Sequence, residues 1–116
     1  MKDDGVYIQQ MLESAGKIRT FTAGLSREQF FADQKTQSAV IMQLALIGEL
    51  AKRVSPATQS HINLPWKEIT GFRDRAIHDY FELDLDVVWD TIEMDLPTLE
   101  SALQTYRDER KDRPTE

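Results

Sequence analysis

Apolar residues recur along this chain at spacings of three and four, without sustained alternation, so the pattern predicts helices and no strands. Ile8, Met11, Leu12, Ala15 and Ile18 make one stripe, predicting a first helix from about Asp4 to Thr22 that ends near Gly24. A short second helix follows from Ser26, whose hydroxyl suits an N-cap, and carries Phe30 and Phe31. Asp33 is placed to cap a long third helix, where Val40, Ile41, Leu44, Ile47, Ala51 and Val54 form a wide apolar face that Ser55-Pro56 ends. Residues 57–64 read as a polar loop, and Pro65 fits the first position of a fourth helix because it lacks the amide that would go unpaired there. The fifth begins near Asp84 and repeats Leu85, Val88, Trp89, Ile92, Leu96, Leu99, Leu103 and Tyr106, with Pro97 as an expected kink.

Long amphipathic helices with short connections predict an all-α, antiparallel bundle of four to five helices. A chain of 116 residues supports one core, so residues 1–106 are read as a single domain and 107–116 as a polar, disordered tail. There are no cysteines, which excludes disulfides and thiolate chemistry and fits a cytoplasmic protein. The N-terminal residues lack a signal-peptide core, and no stretch approaches the roughly 20 apolar residues of a membrane span. A net charge of -6 argues against broad nucleic-acid binding. The charge is uneven, however: seven acidic and no basic residues lie from Glu82 to Glu100, while Lys67, Arg73, Arg75 and His78 gather just upstream. An anion is therefore expected to dock near residues 67–78.

That upstream segment, Arg73 to Phe81, carries the candidate chemistry. Arg73 falls near the middle of a helical stripe of Trp66, Ile69, Ala76, Ile77 and Tyr80. A cation there needs either a carboxylate partner or a wet cleft with an anionic ligand. Asp74 and His78 are four apart, so the carboxylate is expected to hydrogen-bond the imidazole and fix its tautomer. Arg75 and Asp79 read as a solvated i,i+4 pair. Arg73 and His78 stand about 140° apart on a regular helix, so they converge only through local unwinding, the reach of arginine, or a second subunit. Two histidines and no cysteine give no zinc-ligand spacing, and there is no phosphate-cradling glycine loop; neither metal nor cofactor is expected.

The string Arg73-x4-His78-x-Tyr80 resembles the R-x4-H-x-Y motif of HepT-like toxins, a branch of the HEPN domains. Segments Asp33–Val40, Ile47–Arg53, Leu64–Ile69, Gly71–Arg73, Asp86–Trp89 and Asp95–Pro97 resemble family segments in the same order, together covering about residues 5–105. The resemblance implies a HEPN-like bundle that forms a homodimer, with the two motifs facing each other across a cleft. It implies metal-independent endoribonuclease activity in which Arg73 holds the phosphate of an RNA substrate and His78 transfers a proton at the 2′-hydroxyl or leaving oxygen, leaving a 2′,3′-cyclic phosphate. It also implies a toxin–antitoxin pair, in which a minimal nucleotidyltransferase antitoxin silences the enzyme by adenylylating (AMPylating) Tyr80.

Asp74 stands where the family often has asparagine, and Asp79 where it often has glycine. Two extra carboxylates are expected to weaken RNA binding and to move the pH at which the site works. A non-catalytic HEPN dimer that docks a nucleotidyltransferase is the alternative reading. An unrelated helical bundle is the third.

Overall fold

The computed structural model describes residues 3–112. Helix α1 spans Asp4–Thr22, capped by Asp3, whose carboxylate accepts from the Val6 amide at 3.1 Å. Gly24 follows with φ 77°, a left-handed turn that favours glycine. Helix α2, Arg27–Phe31, starts on a reciprocal capping box between Ser26 and Gln29. Helix α3, Gln34–Arg53, is capped by Asp33, which accepts from the Thr36 amide and hydroxyl at 3.1 and 2.6 Å.

Residues 57–64 are not simply a loop: Pro56–His61 form a short helix, α4. Ser55-Pro56 stops α3 and at the same time starts α4, with Ser55 as N-cap and Pro56 in the first turn. The Asp4 carboxylate anchors this corner, accepting from the Ser55 amide at 3.0 Å and from the Ser55 and Thr58 hydroxyls, each at 2.5 Å. Helix α5 is Trp66–His78, with Pro65 one position earlier than expected, at the cap. A 3-10 turn at Tyr80–Glu82 leads to α6, Leu85–Asp90.

A π-helical turn at Thr91–Asp95 joins α6 to α7, Leu96–Asp112. Pro97 accounts for it, since proline has no amide for the carbonyl four residues back and its ring crowds that carbonyl; widening the turn before it absorbs both problems. The last helix also runs further than expected, taking in residues 107–112 of the predicted tail, while 113–116 lie outside the described residues. Arg107 accounts for part of this, reaching Gln9 of α1 at 3.3 Å, and the Arg110 guanidinium lies over the Tyr106 ring and against Gly5.

Contacts between three pairs of helices define the directions. Asp4 of α1 meets Ser55 just past the end of α3, Arg19 and Gln9 of α1 meet Glu100 and Arg107 of α7, and Glu49 and Ser38 of α3 meet Arg73 of α5 and Tyr80 just beyond it. Each pair therefore runs antiparallel, and the expected all-α bundle is what forms, with α3 between α1 and α5. Ile8, Met11, Ala15, Ile18, Val40, Ile47, Ala51 and Leu103 fill the core between these helices, and Phe30 packs on Trp89 at one end. Glu100 is buried at its edge and is neutralised by Arg19, whose Nε donates at 2.7 Å. Among the described residues no helix is long and apolar enough to cross a membrane.

Candidate functional site at the end of helix α5

Helix α5 buries Phe72 and Ala76, with Trp66 and Ile69 half-buried beside them. Ile77 and Tyr80 are exposed, so Arg73 lies at the edge of the buried face rather than in the middle of an apolar stripe. Its stem rests on Gly48 of α3, where a Cβ would come within 2.8 Å of Arg73 Cβ and 2.7 Å of the Ile69 carbonyl oxygen. Only a residue without a side chain permits that approach.

A carboxylate does meet the arginine. Arg73 Nε sits 3.1 Å from Glu49 Oε1, and Nη1 sits 3.2 Å from Asp74 Oδ1. Lys52 Nζ reaches the same Asp74 oxygen at 2.8 Å, and Arg53 meets Glu49 at 3.5 Å. Lys52 first, and Arg73 after it, hold the Asp74 carboxyl below the usual carboxylate range. These ion pairs lie at the surface, where each contributes little to stability.

Asp74 is thus committed to cations, and no hydrogen bond joins it to His78 among the described residues. The i,i+4 spacing allowed that bond, but Lys52 from the neighbouring helix competes for the carboxylate. The Arg75–Asp79 pair does not form either: Asp79 has left helical geometry (φ -127°, ψ 35°), and Arg75 instead lies over the Phe72 ring at 5.6 Å. His78 is the last residue of α5 and is exposed.

The break after His78 swings Tyr80 across to α3, where its hydroxyl lies 2.8 Å from Ser38 Oγ. Phe81 stacks edge-on to Tyr80, with centroids 5.5 Å apart, and is 98% exposed. The helix is regular from Trp66 to His78 and the distortion begins only after His78, so it does not bring Arg73 and His78 onto one face. Met42 and Leu46 stand exposed on α3 between its contacts with Tyr80 and Arg73. Together with Ile77 and Phe81 they give the motif an apolar border.

Glu49, Lys52, Ser38 and Gly48 had no assigned role in the sequence. Gly48, Glu49 and Lys52 lie within the resembling segment Ile47–Arg53, but the residues of α5 that they meet are 20 or more positions away, beyond any local spacing rule. A cavity of about 440 Å³ opens elsewhere, on the other flank of α5, lined by Leu44, Ile69, Phe72, Val87, Leu96 and Leu99 among others. It holds none of Arg73, His78 and Tyr80, so its size does not make it the reactive centre. Among the described residues no group of three or more His, Cys, Asp or Glu is arranged to hold a metal ion.

Comparison with known proteins agrees with the family resemblance. The family described as "Ribonuclease HepT-like" matches residues 11–106. "Probable ribonuclease HepT" of Thermococcus cleftensis is 36% identical over 102 residues, covering 87% of this chain and 93% of that protein. "Putative RNase TTE0752" of Caldanaerobacter subterraneus subsp. tengcongensis is 31% identical over 112 residues, covering 96% of this chain and 100% of that protein. No solved structure matches the chain. By the span of the family match and the identity of these relatives, the chain belongs to the HepT-like ribonuclease family.

Proposed function

We propose that the protein is a metal-independent endoribonuclease that works as a homodimer, with Arg73 of one copy and His78 of the other forming each site. One observation carries the reading: Arg73 and His78 lie at an exposed, apolar-bordered end of α5 but point about 140° apart on a regular helix, so a second copy is the economical way to unite them. In that arrangement His78 accepts the proton of a ribose 2′-hydroxyl. The 2′-oxygen attacks the adjacent phosphorus, the 5′-oxygen leaves and takes up the proton, and a 2′,3′-cyclic phosphate remains. Arg73 offsets the charge gathering on the phosphate oxygens, releasing Glu49 and Asp74 as it does so.

The same proposal extends to control. The chain acts as the toxin of a cytoplasmic toxin–antitoxin pair whose nucleotidyltransferase antitoxin joins AMP to Tyr80, placing a bulky anion beside the site. The Tyr80 hydroxyl is at the surface and, among the described residues, tied only to Ser38, which supports access by a partner enzyme.

The engagement of Arg73 by two carboxylates also supports a second reading, a HEPN dimer that binds its partner without cutting RNA. Induced expression of wild type, Arg73→Ala and His78→Ala, with RNA integrity as the readout, separates the two. Growth arrest with RNA loss that both substitutions abolish supports the nuclease. Intact RNA in the wild type supports the binding dimer, and toxicity that survives both changes refutes the site.

A further inference from the structure

Asp74 Oδ1 takes up two cations at once, Lys52 Nζ at 2.8 Å from α3 and Arg73 Nη1 at 3.2 Å from its own helix. Two cations converging on one anionic oxygen make a seat for an anion. Lys52 therefore stands no more than two hydrogen bonds from the guanidinium assigned to phosphate. The contact is open to solvent, with the Lys52 side chain 37% and that of Asp74 52% exposed, so it is weak and readily exchanged. Arg53, Lys52 and Arg73 share two carboxylates, Glu49 and Asp74, which leaves this patch cationic on a chain of net charge -6.

We infer that Lys52 is an RNA-backbone-binding residue that grips a phosphate together with Arg73, and that Asp74 occupies this seat as a displaceable competitor when RNA is absent. The inference rests on the ribonuclease reading of the Arg73 site and adds a second phosphate contact from α3. A phosphodiester carries a full charge on two free oxygens, so it satisfies both cations where the single Asp74 oxygen now does. The ordinary alternative is that Lys52–Asp74 only ties α3 to α5.

The two accounts differ in sign. Lys52→Gln and Asp74→Asn break the same ion pair, so a purely structural tie predicts that both change RNA binding in the same direction. A phosphate seat predicts opposite directions. The measurement uses the full chain carrying His78→Ala, which prevents cleavage, and a fluorescent single-stranded oligoribonucleotide titrated over a series of salt concentrations. Lys52→Gln is expected to weaken binding several-fold and to lower the slope of log affinity against log salt by about 0.7, the value for one lost phosphate contact on a single strand. Asp74→Asn is expected to tighten binding, and the gain is expected to shrink when Lys52→Gln is added. Unchanged affinity and slope in Lys52→Gln, weaker binding in Asp74→Asn, or no RNA binding at all overturns the inference. Cleavage of the same oligonucleotide is measured separately with His78 intact. RNA that binds with the opposite shifts but stays uncut refutes only the nuclease reading, whereas RNA that is cut without those shifts refutes only the role of Lys52.

Discussion

Arg73 is seated on Gly48: a methyl group at position 48 would stand 2.8 Å from Arg73 Cβ and 2.7 Å from the Ile69 carbonyl oxygen. Glycine inside a helix ordinarily costs about 1 kcal/mol relative to alanine, so Gly48→Ala would stabilise α3 if space allowed. Space does not allow it, because one of the two colliding atoms is backbone and cannot swing away. Overpacking of this kind typically costs about 1–3 kcal/mol, which outweighs the helix gain. Gly48→Ala is expected to lower stability in urea unfolding and, by shifting α5, to reduce RNA cleavage. A variant more stable than wild type would show that α5 does not rest where described.

Arg73 and His78 are expected to matter for chemistry far more than for folding. His78 is exposed at the last turn, so His78→Ala is expected to leave unfolding within about 0.5 kcal/mol of wild type. Cleavage is expected to fall about a hundredfold or more, the usual size of a lost proton-transfer group. Arg73→Ala is expected to fall comparably, and Arg73→Lys to recover only part, because lysine keeps the charge but loses the planar fork. RNA cleavage rates set beside urea curves for the same samples check both statements.

The proposed modification at Tyr80 has a direct readout. Incubation with the cognate nucleotidyltransferase and ATP is expected to add one AMP, as the Tyr80 oxygen attacks the α-phosphorus, loses its proton and displaces pyrophosphate. Tyr80→Phe is expected to abolish that mass gain while leaving unmodified cleavage near wild type. Absence of a gain, or a gain confined to Tyr7 or Tyr106, refutes the assignment.

What the sequence made legible was local. The stripe Ile8 to Ile18 and the face Val40 to Val54 set α1 and α3, and Ser26 and Asp33 signalled the starts of α2 and α3 through side-chain oxygens a few residues from the amides they cap. The stop signal Ser55-Pro56 was equally a start signal, and one of the anchors of α4, Asp4, lies some 50 residues away. The site divides in the same way. Arg73, His78 and Tyr80 stand in one readable string, but the answer to the arginine's charge, Glu49, lies on another helix. Asp74 was read against His78 because they share a helix face, and the helix packing handed it to Lys52 instead.

Acid sensitivity is expected from the corner that Asp4 holds. Partial burial pushes its carboxyl up, but the hydroxyls of Ser55 and Thr58 and the Ser55 amide together outweigh this, and its pKa falls below the ordinary 3.8. A carboxyl depressed in the folded state adds stability that is present above the ordinary pKa and lost as pH falls through the folded one. Asp4→Ala is expected to cost about 1–3 kcal/mol at neutral pH, since Ser55 and Thr58 lose a charged acceptor. Below about pH 4 the wild type is expected to lose stability more steeply than Asp4→Ala, so the two curves converge. Urea unfolding at stepped pH measures this, and parallel curves would remove Asp4 from the account.

The proposed dimerisation through the motif face gives the sharpest test of how the site is assembled. Phe81 is 98% exposed and Met42 and Ile77 more than half, so polar changes there disturb no core. Burying one phenylalanine per chain contributes about 2 kcal/mol or more, so Phe81→Glu is expected to weaken a twofold dimer by a hundredfold or more in sedimentation. Cleavage is expected to fall with it, while helix content stays. A composite site makes a further demand. In a heterodimer of Arg73→Ala and His78→Ala chains, one site lacks both groups and the other has an intact arginine from one chain and an intact histidine from its partner. Mixing the two inactive proteins is therefore expected to restore about a quarter of wild-type activity, because half the dimers are mixed and each has one working site. Sites built within single chains restore none, and that result would return Arg73 and His78 to the same helix, where a regular turn holds them apart.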